Sequence, residues 1–147
     1  PRVIWGSQSE ADKNAEKSPT WLKQIWFPGC HSDIGGSYLE SESRLSDIAL
    51  DWMIEELCDC FPDIQIQDNL LVRSPDPTGL QHREEFLFKF GPFSIKWKKG
   101  PRSVDPGFAL HPSVIGRLEA DTVPQMGEIE PYRPPQLSEH PQAQEHY

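Results

Sequence analysis

The stretch Gln24-Ile25-Trp26-Phe27-Pro28-Gly29-Cys30-His31-Ser32-Asp33-Ile34-Gly35-Gly36-Ser37-Tyr38 constrains this chain more than any other. A short apolar run passes without a spacer into an imidazole, a polar pair and two adjacent glycines. The apolar run, Trp21 to Phe27, suits a strand covered on both faces. Open α/β sheets place their chemistry at the ends of such strands. The expected fold class is therefore α/β, with His31 held at a strand end.

Bulk properties narrow the remaining possibilities. The 147 residues give room for one modest domain. Fifteen prolines point to a loop-rich, Pro-rich periphery around a small core. The formal charge is -9, from 23 acids against 14 bases, which argues against nucleic acid as a partner because that affinity rests on Lys and Arg. The local basic exception, Lys96, Lys98, Lys99 and Arg102, falls on a Pro/Gly-containing turn and reads as solvated surface. No apolar run approaches a bilayer span, and the N-terminus has no signal-peptide layout. The chain starts at Pro1, and it is expected to be a piece of a longer polypeptide. Cys30, Cys58 and Cys60 form neither an even framework nor a CxxC pair, so an intracellular, reducing compartment is expected. Cys58 and Cys60 are expected to act as small buried hydrophobes.

Periodicity organises the chain further. Pro1 to Trp5 reads as extended, and the polar run Gly6 to Pro19 as a loop or disordered insertion. Ser46 to Phe61 is the clearest helix, with Ser46 as N-cap and Leu45 stapling onto Leu50. Leu45, Ala49, Trp52, Met53, Leu57, Cys60 and Phe61 form its expected apolar face. Asp47, Asp51, Glu55 and Asp59 form an acidic stripe that repels itself, so burial of Trp52, Met53 and Leu57 must hold the helix. Pro62 stops it. Ile64 to Val72 is expected to be extended, and Ser74 to Gly79 a turn. Phe86–Phe90 and Phe93–Trp97 alternate and suggest a hairpin around Gly91-Pro92. His111-Pro112-Ser113-Val114 opens a short helix with Pro at its first position. Val123 onward reads as a peripheral wrap. The expected organisation is a partial α/β domain over 1–137 and a polar, disordered tail over 138–147.

The residue chemistry centres on His31. An imidazole titrates near neutrality and can accept and return a proton within one catalytic cycle. Equally, such a His can cap a backbone carbonyl. Asp33, two residues on, would point the same way in extended backbone. It could orient the imidazole, share a metal with it, or accept from the amides of the glycine turn. Metal is the weakest of these, because no HExxH, CxxC or DxDxDG pattern accompanies the pair. Gly35 and Gly36 could present amides to an oxyanion or simply permit a tight turn. No GxSxG nucleophile elbow occurs, and the nearest string, Gly35-Gly36-Ser37-Tyr38-Leu39, fails at its last position. No cofactor or metal is expected.

The run Trp26 to Tyr38, followed by Leu45-Ser46-Asp47-Ile48-Ala49-Leu50-Asp51-Trp52-Met53-Ile54, resembles the type VI secretion phospholipase effector Tle1-like catalytic domain family. Weaker echoes continue in Leu110-His111-Pro112-Ser113-Val114 and Tyr132-Arg133-Pro134-Pro135. The resemblance implies an α/β-hydrolase with a Ser-Asp-His arrangement acting on lipid carboxylic esters. His31 then matches the family's general base, with Asp33, Gly35 and Gly36 as its supporting loop. Ser37 stands where family members carry a third glycine. The implied fold is the C-terminal portion of a doubly wound α/β-hydrolase-like sheet, and the implied substrate is a lipid or other ester. Without serine and acidic partner the isolated chain would be inactive. The alternative function is a non-catalytic truncated remnant or binding module.

Overall fold

The computed structural model describes residue 16, residues 22–83, the strands at 87–90 and 93–96, and residues 102–147. The expected extension over Pro1–Trp5 and most of the loop over Gly6–Pro19 lie outside the described residues. Element order is α1 (His31–Gly35), α2 (Arg44–Cys60), β1 (Leu87–Phe90), β2 (Phe93–Lys96), α3 (Pro112–Glu119), β3 (Val123–Gln125) and β4 (Glu128–Glu130), with short 3-10 turns between and after them. The architecture is thus mixed helix and strand. Among the described residues the strands form two antiparallel pairs, β1 with β2 and β3 with β4. Parallel pairing among the described residues consists of two isolated bridges, Trp26 with Leu110 and Gln81 with Gln125.

The apolar run ahead of His31 therefore forms one bridge rather than a long strand. Trp26 donates its N–H to the Ala109 carbonyl at 3.0 Å and accepts from the His111 N–H at 2.8 Å. Phe27 next to it stacks on the His111 ring, centroids 4.4 Å apart, and meets the Trp52 ring edge-on at 5.5 Å. The backbone then turns at Pro28-Gly29, because Gly29 has φ +124 and a Cβ there would lie 2.5 Å from the Asp33 Cβ. Only glycine fits so close an approach.

α2 begins earlier than its sequence pattern suggests. Ser43 is the N-cap, its carbonyl accepting from the Asp47 N–H at 2.9 Å, and the Ser46 hydroxyl bonds back to that carbonyl at 2.8 Å. The helix ends at Cys60, before Pro62, as expected. Its orientation differs from the expectation. Leu45, Ile48 and Ala49 are buried, but Leu50, Met53 and Phe61 are exposed, so no Leu45–Leu50 staple forms. The first half of the acidic stripe is covered in their place, whereas Glu55 and Asp59 are exposed. Asp47 is buried and accepts from the Ser74 N–H at 2.9 Å, and Asp51 pairs with Arg73. Arg73 also reaches Asp68 at 2.6 Å. Carboxylates that would repel along the helix are instead neutralised by segment 73–74. Cys60 is exposed and Cys58 half-buried, so neither is the buried hydrophobe expected.

Ile64 to Val72 contains a 3-10 turn, Asp68–Leu70, rather than a strand. Asp76 closes the expected turn through the Thr78 N–H at 2.8 Å and Oγ1 at 2.7 Å. The expected hairpin forms, in the register Leu87↔Lys96 to Phe90↔Phe93. α3 has Pro112 first, as expected, with His111 as N-cap accepting from the Ser113 N–H at 3.2 Å.

The apolar core lies in the C-terminal part: Leu110, Val114, Leu118, Val123, Tyr132, Leu137 and Ala143. Arg117, fully buried on α3, donates to the carbonyls of Pro77 and Gly79 at 2.7 Å each. Its guanidinium also lies 5.1 Å from the Tyr132 ring centre. That ring is buried, and desolvation pushes its hydroxyl up to about 12 despite the cation beside it. Residues 138–147, which composition marks as a disordered tail, pack here in consecutive turns. His140 and Ala143 are buried, and His140 Nε2 donates to the Phe108 carbonyl at 3.0 Å.

Candidate functional site

His31 opens α1 on an exposed surface, directly after the turn that Gly29 permits. Asp33 belongs to the same short helix but points inward, with 2% of its surface exposed. Helical rather than extended backbone separates the two, since residues two apart on a helix face different ways. Asp33 does not meet the His31 ring through the parallel alignment that extended backbone would give.

The buried carboxylate is satisfied from two directions. Oδ2 accepts the Cys30 N–H at 2.9 Å, which pins the residue preceding His31. Its other partners come from far along the chain. The His82 backbone N–H reaches Oδ2 at 3.2 Å, and His82 Nδ1 donates to Oδ1 at 2.7 Å across 49 residues. A carboxylate removed from water needs such donors, because unpaired burial would cost several kcal/mol. Asp33 therefore does accept a backbone amide, but from Cys30 and His82 rather than from the glycines.

Beyond Asp33 the chain reverses through Gly36, φ 79, and Ser37, φ 117. The second value is a conformation that favours glycine. Tyr38 then lies against the His82 ring, centroids 3.5 Å apart and planes 16° from parallel. Its hydroxyl is 3.7 Å from Cys30 Sγ. Burial first, and the Cys30 contact second, push that hydroxyl up to about 12, so it is a neutral phenol at ordinary pH. His82 Nε2 faces Glu42 Oε2 at 3.5 Å without hydrogen-bond geometry.

The sequence singled out His31, Asp33, Gly35 and Gly36, and the structure gathers them on one turn. It adds His82, Tyr38 and Glu42, which sequence reasoning missed as site residues. Tyr38 could have been marked as the end of the motif; His82 sits in the polar run Gln81-His82-Arg83, where spacing gives no signal. No group of three or more His, Cys, Asp or Glu side chains with metal-holding geometry occurs among the described residues. No helix among them is long and apolar enough to cross a membrane.

An imidazole exposed on a turn whose backbone is tied to a buried carboxylate can exchange protons with a group brought against it. Comparison with known proteins agrees with the motif. Residues 1–56 match the family model of the type VI secretion system phospholipase effector Tle1-like catalytic domain. The match contains the whole His31 turn and most of α2, so the resemblance read from those residues is shown over that stretch. No curated protein and no solved structure matches the chain.

Proposed function

We propose that this chain is part of a serine-dependent carboxylic ester hydrolase of the lipase or phospholipase type, to which it contributes the general base, His31. The family match over the His31 turn carries the reading, and the exposure of that residue supports it. Within the proposal, the chain is the C-terminal portion of a doubly wound α/β-hydrolase-like domain. The parallel bridge from Trp26 to Leu110, just before the turn, is in keeping with that placement. The nucleophilic serine and the acidic partner of the imidazole come from outside these 147 residues, which contain no GxSxG.

Mechanistically, His31 accepts the serine proton as the hydroxyl oxygen bonds to the ester carbonyl carbon. It returns that proton to the departing alcohol as the carbonyl–oxygen bond breaks, leaving an acyl-enzyme. Water, deprotonated by the same ring, then releases the carboxylic acid and restores the serine. Asp33 takes no proton in this scheme. Its bonds to Cys30 and His82 fix the backbone that carries the base.

The test is ester turnover by the full-length polypeptide that carries the serine. His31→Ala should lower kcat about 10⁶-fold with unchanged melting behaviour. Near-normal turnover would refute the role of general base and favour a binding module.

A further inference from the structure

We infer that His82 is a positioning residue that clamps the His31 turn at both ends. The kinetic part of this inference rests on the ester-hydrolase reading above; its structural part does not. The imidazole of His82 donates to Asp33 on one side and stacks on Tyr38 on the other. Those two residues bracket Ile34 to Ser37, the segment containing two consecutive positive-φ positions, Gly36 and Ser37. Such a reversal has little regular hydrogen bonding of its own to hold its shape, so contacts at its two ends decide its geometry.

The clamp reaches His31 through few links. His82 holds Asp33, Asp33 Oδ2 holds the Cys30 N–H at 2.9 Å, and Cys30 precedes His31 in the chain. The Cys30 thiol closes the same loop against the Tyr38 hydroxyl at 3.7 Å. His82 is itself anchored to the C-terminal core. The Gln81 N–H donates to the Pro124 carbonyl at 3.0 Å, and the Met126 N–H donates to the Gln81 carbonyl at 2.8 Å. Arg117 secures the chain just before, at Gly79.

The same geometry separates positioning from proton transfer. Nδ1 of His82 is occupied by Asp33, and Nε2 is buried facing Glu42. Neither nitrogen opens to solvent, whereas His31 is exposed. His82 therefore acts on the reaction through the turn and not on substrate.

The experiment uses the full-length polypeptide carrying His82→Ala or His82→Asn. The Asn amide nitrogen occupies the place of Nδ1 and can still donate to Asp33. Two readouts are taken: kcat and KM on a soluble short-chain ester, and amide hydrogen exchange at Cys30. His82→Ala should lower kcat at least about tenfold, consistent with a displaced catalytic group, while KM stays within about twofold. Exchange at Cys30 should accelerate in the same variant. His82→Asn keeps the Asp33 bond but loses the Tyr38 stack, so both readouts should recover in part and fall between His82→Ala and wild type. Unchanged Cys30 exchange in His82→Ala, or an Asn variant no better than Ala, would overturn the clamp. Wild-type kcat alongside faster exchange would overturn its influence on catalysis. Failure of the general-base reading shows separately, as full turnover by His31→Ala, and leaves the exchange result to decide the clamp.

Discussion

Residues 22–61 and residues 102–147 hold themselves together by different means. The C-terminal stretch encloses an apolar core in which Val123 and Ala143 are fully buried. The N-terminal stretch, which carries the family motif, buries carboxylates beside a small apolar set, Leu45, Ile48 and Ala49. Asp33 and Asp47 are sealed against backbone amides of His82 and Ser74, while Met53 and Phe61 of α2 remain exposed. Hydrogen bonds are directional and apolar burial is not. The motif region thus has its backbone geometry specified bond by bond, whereas the other region supplies the bulk of the apolar burial. Segment 73–82 joins the two, since it donates to both carboxylates and is itself fixed by Arg117 and the 124–126 edge.

The contrast can be broken most forcefully by truncation. Leu118 is 1% exposed, and Leu118→Ala should destabilise the chain by about 3 kcal/mol, from lost transfer energy plus a cavity. Met53 is 56% exposed, and Met53→Ala should cost less than about 0.5 kcal/mol. Urea denaturation of both variants decides the matter. Equal losses would mean that α2 is buried on the face described here as open.

A smaller change sharpens the account of the turn. Ser37 holds a left-handed φ of 117 on an exposed loop. Ser37→Gly should therefore raise stability by about 1 kcal/mol, the relief of strain exceeding the entropy that glycine adds to the unfolded chain. A lower denaturation midpoint in this variant would show that the Ser37 side chain makes a compensating contact.

The smallest effect concerns the junction at His111. Burial lowers the pKa of this ring below its ordinary 6.5, against a weaker opposing pull from Glu55. The neutral ring accepts from Ser113 and caps α3. With the folded value depressed, the unfolded chain binds more protons in the window just below 6.5, so stability rises with pH there. The capping contribution is fully present above 6.5 and is lost as pH falls through the depressed value. His111→Asn keeps an acceptor that does not titrate, and should flatten this dependence between neutral and mildly acid pH. Identical melting-against-pH curves for wild type and variant would contradict the cap.

What the sequence disclosed follows from the range of the interactions concerned. The α2 pattern, the Pro112 helix start, the Asp76 turn and the β1–β2 pairing all depend on neighbours within a few residues, and all were legible. The facing of α2 was not, because Asp47 and Asp51 take their partners from Ser74 and Arg73. A stripe of like charges looks solvated until the opposing segment is known. The 138–147 stretch misled for a related reason. Its burial runs through His140 and Ala143 in successive tight turns, which have neither helical nor strand period. At the site, His31 and Asp33 stood out through their motif, but the His82 partner lies 49 residues away with no spacing rule to mark it.

One measurement bears most directly on the central claim that His31 activates a serine. A fluorophosphonate forms a covalent bond with a serine oxygen made nucleophilic by a neighbouring base. Labelling of the full-length polypeptide should be rapid in wild type and at least about 100-fold slower in His31→Ala, with both proteins folded. Labelling of His31→Ala at the wild-type rate would contradict the account.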